Sequence, residues 1–302
     1  MDNAKSTSLD RRTLLAAAGL ALIPGVPAAV HAAPQPGELV DSADLKDPWM
    51  DDPQRQFENF LRSQGDLSGR VSPQWWRGAV LAIFAGRPPE VLFRLESCEM
   101  KRIKQLGTGE YEFQFRLFTC FKDPETDDML NGLPWLNPLN GEKTIIQPVR
   151  ATFARIIKLT DSGIVEIDPD TGREVQMQLH WTARGPYMMY NGAKDYPEDL
   201  SKPGNPFATS IQYMTAFHDR EAAANFSASR LEMQFNATHV GPFPSWMKMP
   251  ADAGVAVWHA SGHKADNVSN LPPAYLHQLF KYMPELHEWL DDDYSSSTRR
   301  SS

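Results

Sequence analysis

From Trp75 onward the chain is a train of short aromatic and β-branched runs separated by glycine- and proline-bearing turns. That spacing constrains the fold more than any other feature. The runs are Trp75 to Phe84, Val91 to Leu95, Tyr111 to Phe121, Val149 to Leu159, Ile164 to Ile167 and Val175 to Trp181, followed by Ser210 to Phe217, Leu231 to Phe235 and Val255 to Trp258. Residues of this kind suit a pleated, half-buried surface. Between them lie Gly86-Arg87-Pro88-Pro89, Gly107-Thr108-Gly109, Asp161-Ser162-Gly163 and Asp168-Pro169-Asp170-Thr171-Gly172, all of which are turn chemistry. No helix alternates with the strands and no repeat is visible. The pattern predicts a mainly β protein, a single antiparallel barrel of roughly ten strands, lipocalin-like or a similar closed sheet. A short helix is expected after Asp51-Asp52-Pro53, with Phe57, Phe60 and Leu61 on one face. Another runs from about Pro273 to Leu290, and Pro284 is placed to split it.

The 302 residues are 41% apolar, 10% aromatic and 23% charged, which excludes disordered, collagen-like and coiled-coil chains. A net charge of −8 disfavours a sequence-independent grip on nucleic acid. Ahead of the barrel, Ser8-Leu9-Asp10-Arg11-Arg12-Thr13-Leu14-Leu15 leads into an apolar run that ends near Val30-His31-Ala32. Paired arginines before a moderately hydrophobic stretch and small residues read as a twin-arginine export signal. Pro24, Gly25 and Pro27 break the run well short of the about 20 residues needed to span a bilayer. The expected organisation is a signal over 1–32, an extended leader over 33–50, one β-rich domain over 51–290 and a disordered tail over 291–302. The mature chain would be periplasmic or secreted, with the twin-arginine machinery as a partner and no stable membrane insertion.

The order of Gln74-Trp75-Trp76-Arg77-Gly78, Asp123-Pro124-Glu125-Thr126, Trp135-Leu136-Asn137-Pro138, Gly141-Glu142, Ser261-Gly262-His263-Lys264 and Leu271-Pro272 resembles a family of exported bacterial proteins, domain of unknown function 1838. The resemblance covers roughly Phe57 to Leu290. It implies domain boundaries and supplies no catalytic residue. Members often follow the Asp-Pro-Glu-Thr run with Gly, where this chain has Asp127.

No nucleophile elbow, phosphate-cradling loop, H-E-x-x-H or dinucleotide fingerprint is present, so hydride transfer, P-loop chemistry and α/β-hydrolase chemistry are disfavoured. His259 and His263 stand four apart, a metal spacing only on a helix, and Gly262 beside a strand-like run removes that meaning. His218-Asp219-Arg220-Glu221 reads as a solvated cluster. No metal or cofactor is expected. His180 and Trp181 are adjacent on one run, so one points inward. His180 inward would be a usable general base; Trp181 inward would be core.

Arg116 is a candidate charge stabiliser and Lys264 a further catalytic candidate. Trp76, Arg150, Trp181, Tyr187, Arg230 and Trp258 are candidate ligand contacts, with Arg116, Arg150, His180 and Arg230 expected to converge on the tryptophans. Cys98 and Cys120 form a disulfide if the intervening hairpin is centred on residue 109; a centre at 108 sets Cys98 against Phe118 instead. The expected function is a cofactor-independent lyase, isomerase or hydratase acting on a hydrophobic or aromatic small molecule in the barrel. The alternative is a binding or carrier protein without catalysis.

Overall fold

A computed structural model describes residues 47–197, 209–250 and 253–290. Segments 1–32 and 291–302 lie outside the described residues, as does most of 33–50.

The strands are β1 (Ser72–Ile83), β2 (Glu90–Gly107), β3 (Glu110–Lys122), β4 (Pro134–Leu136), β5 (Lys143–Ile145), β6 (Val149–Thr160), β7 (Gly163–Ile167), β8 (Glu174–Gln176), β9 (Gln178–Arg184), β10 (Tyr187–Pro197), β11 (Thr209–Asp219), β12 (Gln234–Gly241) and β13 (Val255–Lys264). Three helices join them: α1 (Pro53–Gln64), α2 (Arg220–Ala224) and α3 (Pro273–Tyr282). Eleven strands form one sheet in the order β8-β7-β6-β3-β2-β1-β13-β12-β11-β10-β9, and every pairing is antiparallel. The two edge strands, β8 and β9, are consecutive in the chain and separated only by Met177. The sheet therefore curls until its edges meet, a nearly closed barrel. β4 and β5 form a separate hairpin.

Both sides of the wall are covered. Inside, α1 packs Phe57, Phe60 and Leu61 against Phe113, Ile157, Trp181, Tyr190 and Phe235, side chains drawn from around the sheet. Asp52 caps the helix by accepting from the amides of Gln54 and Arg55, and Pro53 occupies the first turn. The leader is not merely extended: Pro48–Asp51 forms a 3-10 turn and Trp49 is buried edge-on to Trp181, with ring centroids 5.3 Å apart. Outside, α3 lays Tyr275 and Leu279 over Cys98, Met100, Phe118 and Cys120.

The β2–β3 hairpin corrects the disulfide expectation. Gly107 pairs with Glu110 around Thr108-Gly109, with Gly109 at φ +70°, but the register shifts between Gln105 and Gly107. Below that bulge Gln105 pairs with Tyr111 and Cys98 with Phe118, while Cys120 faces Glu96. Both cysteines are free and buried.

Candidate functional site

Alternation along the strands decides what enters the lumen. On β2 and β3 the odd-numbered residues face inward, among them Leu95, Glu99 and Lys101, with Phe113, Phe115, Leu117 and Thr119. β6 contributes Phe153 and Arg155, β12 contributes Phe235 and His239, and β13 contributes Trp258 and Ala260. Together with Trp76 and Tyr190 they enclose a cavity of about 710 Å³. A cavity of this volume, mostly apolar with a few polar groups, has the character of a small-molecule site.

The floor is polar because α1 ends there. Gln64 on α1 donates from Nε2 to the Tyr190 hydroxyl, while its Oε1 accepts from Lys101 Nζ at 2.7 Å. Lys101 also donates to Gln74 Oε1 at 2.9 Å and pairs with Glu99 at 2.9 Å. Tyr190 in turn donates to the Met214 thioether at 3.3 Å. A second pair stands in the wall: Arg155 lies 3.5 Å from Glu166 and 3.2 Å from Asp168.

The other end is aromatic. Phe121 lies 5.5 Å from Trp258 and 5.2 Å from Phe93, which meets Trp135 at 5.0 Å. His239 faces the cavity here, paired in register with Trp258, and burial lowers its pKa. Gln74, the partner of Glu99, is also the partner of Lys264, six residues along β13 from Trp258. At about 3.3 Å per residue the polar floor and His239 are separated by roughly 20 Å along the strands, so they do not act on one atom. Among the described residues no three His, Cys, Asp or Glu side chains converge as a metal site.

The profile of one family, described as a protein of unknown function (DUF1838), matches residues 70–298, from the start of β1 to beyond α3. The chain belongs to the DUF1838 family. No curated protein and no solved structure matches it. In this DUF1838 barrel the matched span supplies the wall of the cavity, while α1, which brings Phe60 and Gln64, precedes it.

Of the residues singled out from the sequence, Trp76 and Trp258 line the cavity of this DUF1838 chain. Trp181 is buried in the lumen beneath it, 5.1 Å from the Tyr190 ring, and His180 is accordingly exposed on the opposite face. Lys264 is inside but engaged with α1, donating to the carbonyls of Arg62 at 2.7 Å, Ser63 at 3.3 Å and Gly65 at 2.5 Å. The expected inward convergence of Arg116, Arg150, His180 and Arg230 is not what the strands produce. Arg116 lies on the outer face with its guanidinium 4.9 Å from the Trp289 ring centroid, and Arg150 is exposed and donates to the Tyr282 carbonyl at 3.0 Å. Arg230 precedes β12 and pairs with Glu232 at 2.8 Å and Asp266 at 3.4 Å. Tyr187 is exposed.

The groups that do reach the cavity, Gln64, Glu99, Lys101, Arg155, Glu166, Tyr190 and His239, were missed. The one available signal was Glu99 and Lys101 standing two apart within a run whose alternate positions, Cys98 and Met100, are apolar. On a strand that spacing places opposite charges on one face.

Proposed function

We propose that this barrel binds a small, largely apolar molecule in its lumen. The observation that carries this is the 710 Å³ cavity with an aromatic wall and a polar floor. The charged groups of that floor already satisfy one another, so an apolar body can enter without stripping a partner from a buried charge. The test is titration with the fluorescent neutral probe N-phenyl-1-naphthylamine, following its emission and the quenching of tryptophan. Trp76 and Trp258 line the cavity and report directly. Saturable binding is expected, and Ala237→Trp, which projects an indole into the lumen, should weaken it at least tenfold while the fold stays intact. Unchanged affinity in Ala237→Trp would place the probe elsewhere and sink the proposal.

A second reading, acid/base turnover of the bound molecule by a lyase, isomerase or hydratase reaction, is favoured by one feature. The Glu99 side chain remains one-fifth exposed (20%) beside Lys101 on the cavity floor, where its carboxylate can take a ligand proton. Loss of turnover in Glu99→Gln with probe binding retained would support it; equal turnover would remove it.

Export by the twin-arginine route to the periplasm or exterior belongs to the same proposal and rests on Arg11-Arg12 and the apolar run after them. Replacing both arginines with lysine should leave the protein in the cytoplasm. Unchanged export of that variant would assign the signal to another pathway.

A further inference from the structure

We infer that the cavity selects a neutral molecule carrying a hydroxyl group, and that it discriminates against carboxylates and amines on the same apolar skeleton. The inference deepens the binding function proposed above and rests on it. It follows from how the charges of the floor are committed. An ammonium has three N–H donors, and those of Lys101 face three acceptors: Glu99 at 2.9 Å, Gln64 Oε1 at 2.7 Å and Gln74 Oε1 at 2.9 Å. Arg155, the other cation of the wall, is held between Glu166 and Asp168. An entering carboxylate would therefore shed its water to meet cations already paired, with Glu99 and Glu166 close by. An entering ammonium would meet Glu99 only beside the charge of Lys101.

A hydroxyl has what both ions lack. It donates to the carboxylate of Glu99, a partly exposed side chain in the cavity lining, a charge-assisted hydrogen bond that does not require breaking the Lys101 pair. It also accepts, and the Tyr190 hydroxyl, which donates to Met214 Sδ at 3.3 Å, stands in the same lining as a group that a ligand oxygen can meet. The apolar remainder then lies along Phe115, Phe153 and Trp76 toward Trp258.

The test is competition against bound N-phenyl-1-naphthylamine by 1-dodecanol, dodecanoate and dodecylamine at neutral pH, below micelle-forming concentrations. Dodecanol is expected to displace half of the probe at a concentration at least tenfold below either ion. Displacement by dodecanoate or dodecylamine at the same or lower concentration overturns the inference while leaving the binding function standing. Failure of the probe to bind overturns the binding function and the inference with it. In Glu99→Gln, which takes the Glu99 carboxylate away from Lys101, dodecanoate should gain at least tenfold relative to dodecanol; an unchanged ratio would remove Glu99 from the selectivity. Should that variant not fold, the ligand series on the unaltered protein decides alone.

Discussion

His218 is a buried imidazole with both nitrogens engaged. Nδ1 faces the Glu232 carbonyl at 2.8 Å and must donate, so Nε2 accepts from the Ser63 hydroxyl at 3.0 Å. Burial, aided by Lys264 and Arg62 and opposed by the Glu232 carbonyl, brings its pKa down from 6.5 to about 4. The unfolded chain binds a proton at this site between those values and the folded chain does not. The stabilisation is thus complete above about pH 6.5 and is lost as pH falls toward 4, a change on the order of 3 kcal/mol. Urea midpoints should decline over that window more steeply in the unaltered protein than in His218→Gln; parallel profiles would show that this imidazole is not held neutral. The two thiols are buried as well, and burial pushes Cys98 up and Cys120 up to about 12. Thiolate is the reacting form, so iodoacetamide should label neither cysteine in the folded protein and both in urea. Rapid labelling of the folded protein would mean that α3 lifts off the wall. Asp127 stands at φ +63°, a region where Gly is unstrained, and its carboxylate meets Lys122 at 2.5 Å, Arg77 at 2.9 Å and Arg94 at 3.9 Å. The resemblance noted from sequence places Gly there; here the backbone conformation is kept and the side chain gathers three cations. Asp127→Asn should cost about 1 kcal/mol in dilute buffer and less in molar salt, measured by urea unfolding.

At the scale of elements, α1 depends on a residue nearly two hundred positions away. Its last carbonyls have no intrahelical partner, and Lys264 at the end of β13 supplies three donor contacts inside the barrel. Burial first, then Arg230, holds that ammonium well below its usual pKa. Lys264→Met preserves the length of the side chain but orphans the Ser63 and Gly65 carbonyls and leaves that of Arg62 to the Leu231 amide, with an expected cost of about 2–4 kcal/mol and weaker probe binding as Gln64 shifts. Unchanged stability would contradict the capping role. Several strand ends were illegible for related reasons. β13 runs past Trp258 through His259 to Lys264, a stretch without β-branched residues, because Gly78 and Gly262 let the backbones of β1 and β13, the Trp76 Cβ and the Phe235 ring approach closely. β2 runs on through Glu99 and Lys101 to Gly107 because those charges satisfy one another in the lumen. β10 was not expected at all, because Tyr187 reads as a ligand contact rather than as the start of a strand.

The eleven-stranded sheet is one long antiparallel ribbon of strands curled until its edges meet, so its stability should be graded by distance from the seam. β2, β1 and β13 sit at the middle of the order, with partners on both sides over most of their length, whereas β7 and β8 are short and β8 is an edge. Backbone amides of β1, β2 and β13 should therefore exchange slowest with solvent and those of β7 and β8 fastest. Uniform exchange across the sheet would mean that the barrel opens only by global unfolding.

Local chemistry was enough for the class of fold, the first helix and most of the turns. Glycines at positive φ stand where the turns were read, at Gly86, Gly109, Gly163 and Gly172, because these conformations are dictated within a few residues. The phase of the alternation was not legible. A strand with solvent on one side announces its inner face by polarity, but here α1 occupies part of the lumen and α3 covers part of the outer wall, so much of β2 and β3 is buried on both sides. Only the closed sheet decided that Glu99 and Lys101 point in while Cys98 and Arg116 point out. The two-residue turn that sets Gly107 opposite Glu110 would by itself put Cys98 opposite Thr119, and the one extra residue at the β2 bulge moves it on to Phe118, two places from Cys120.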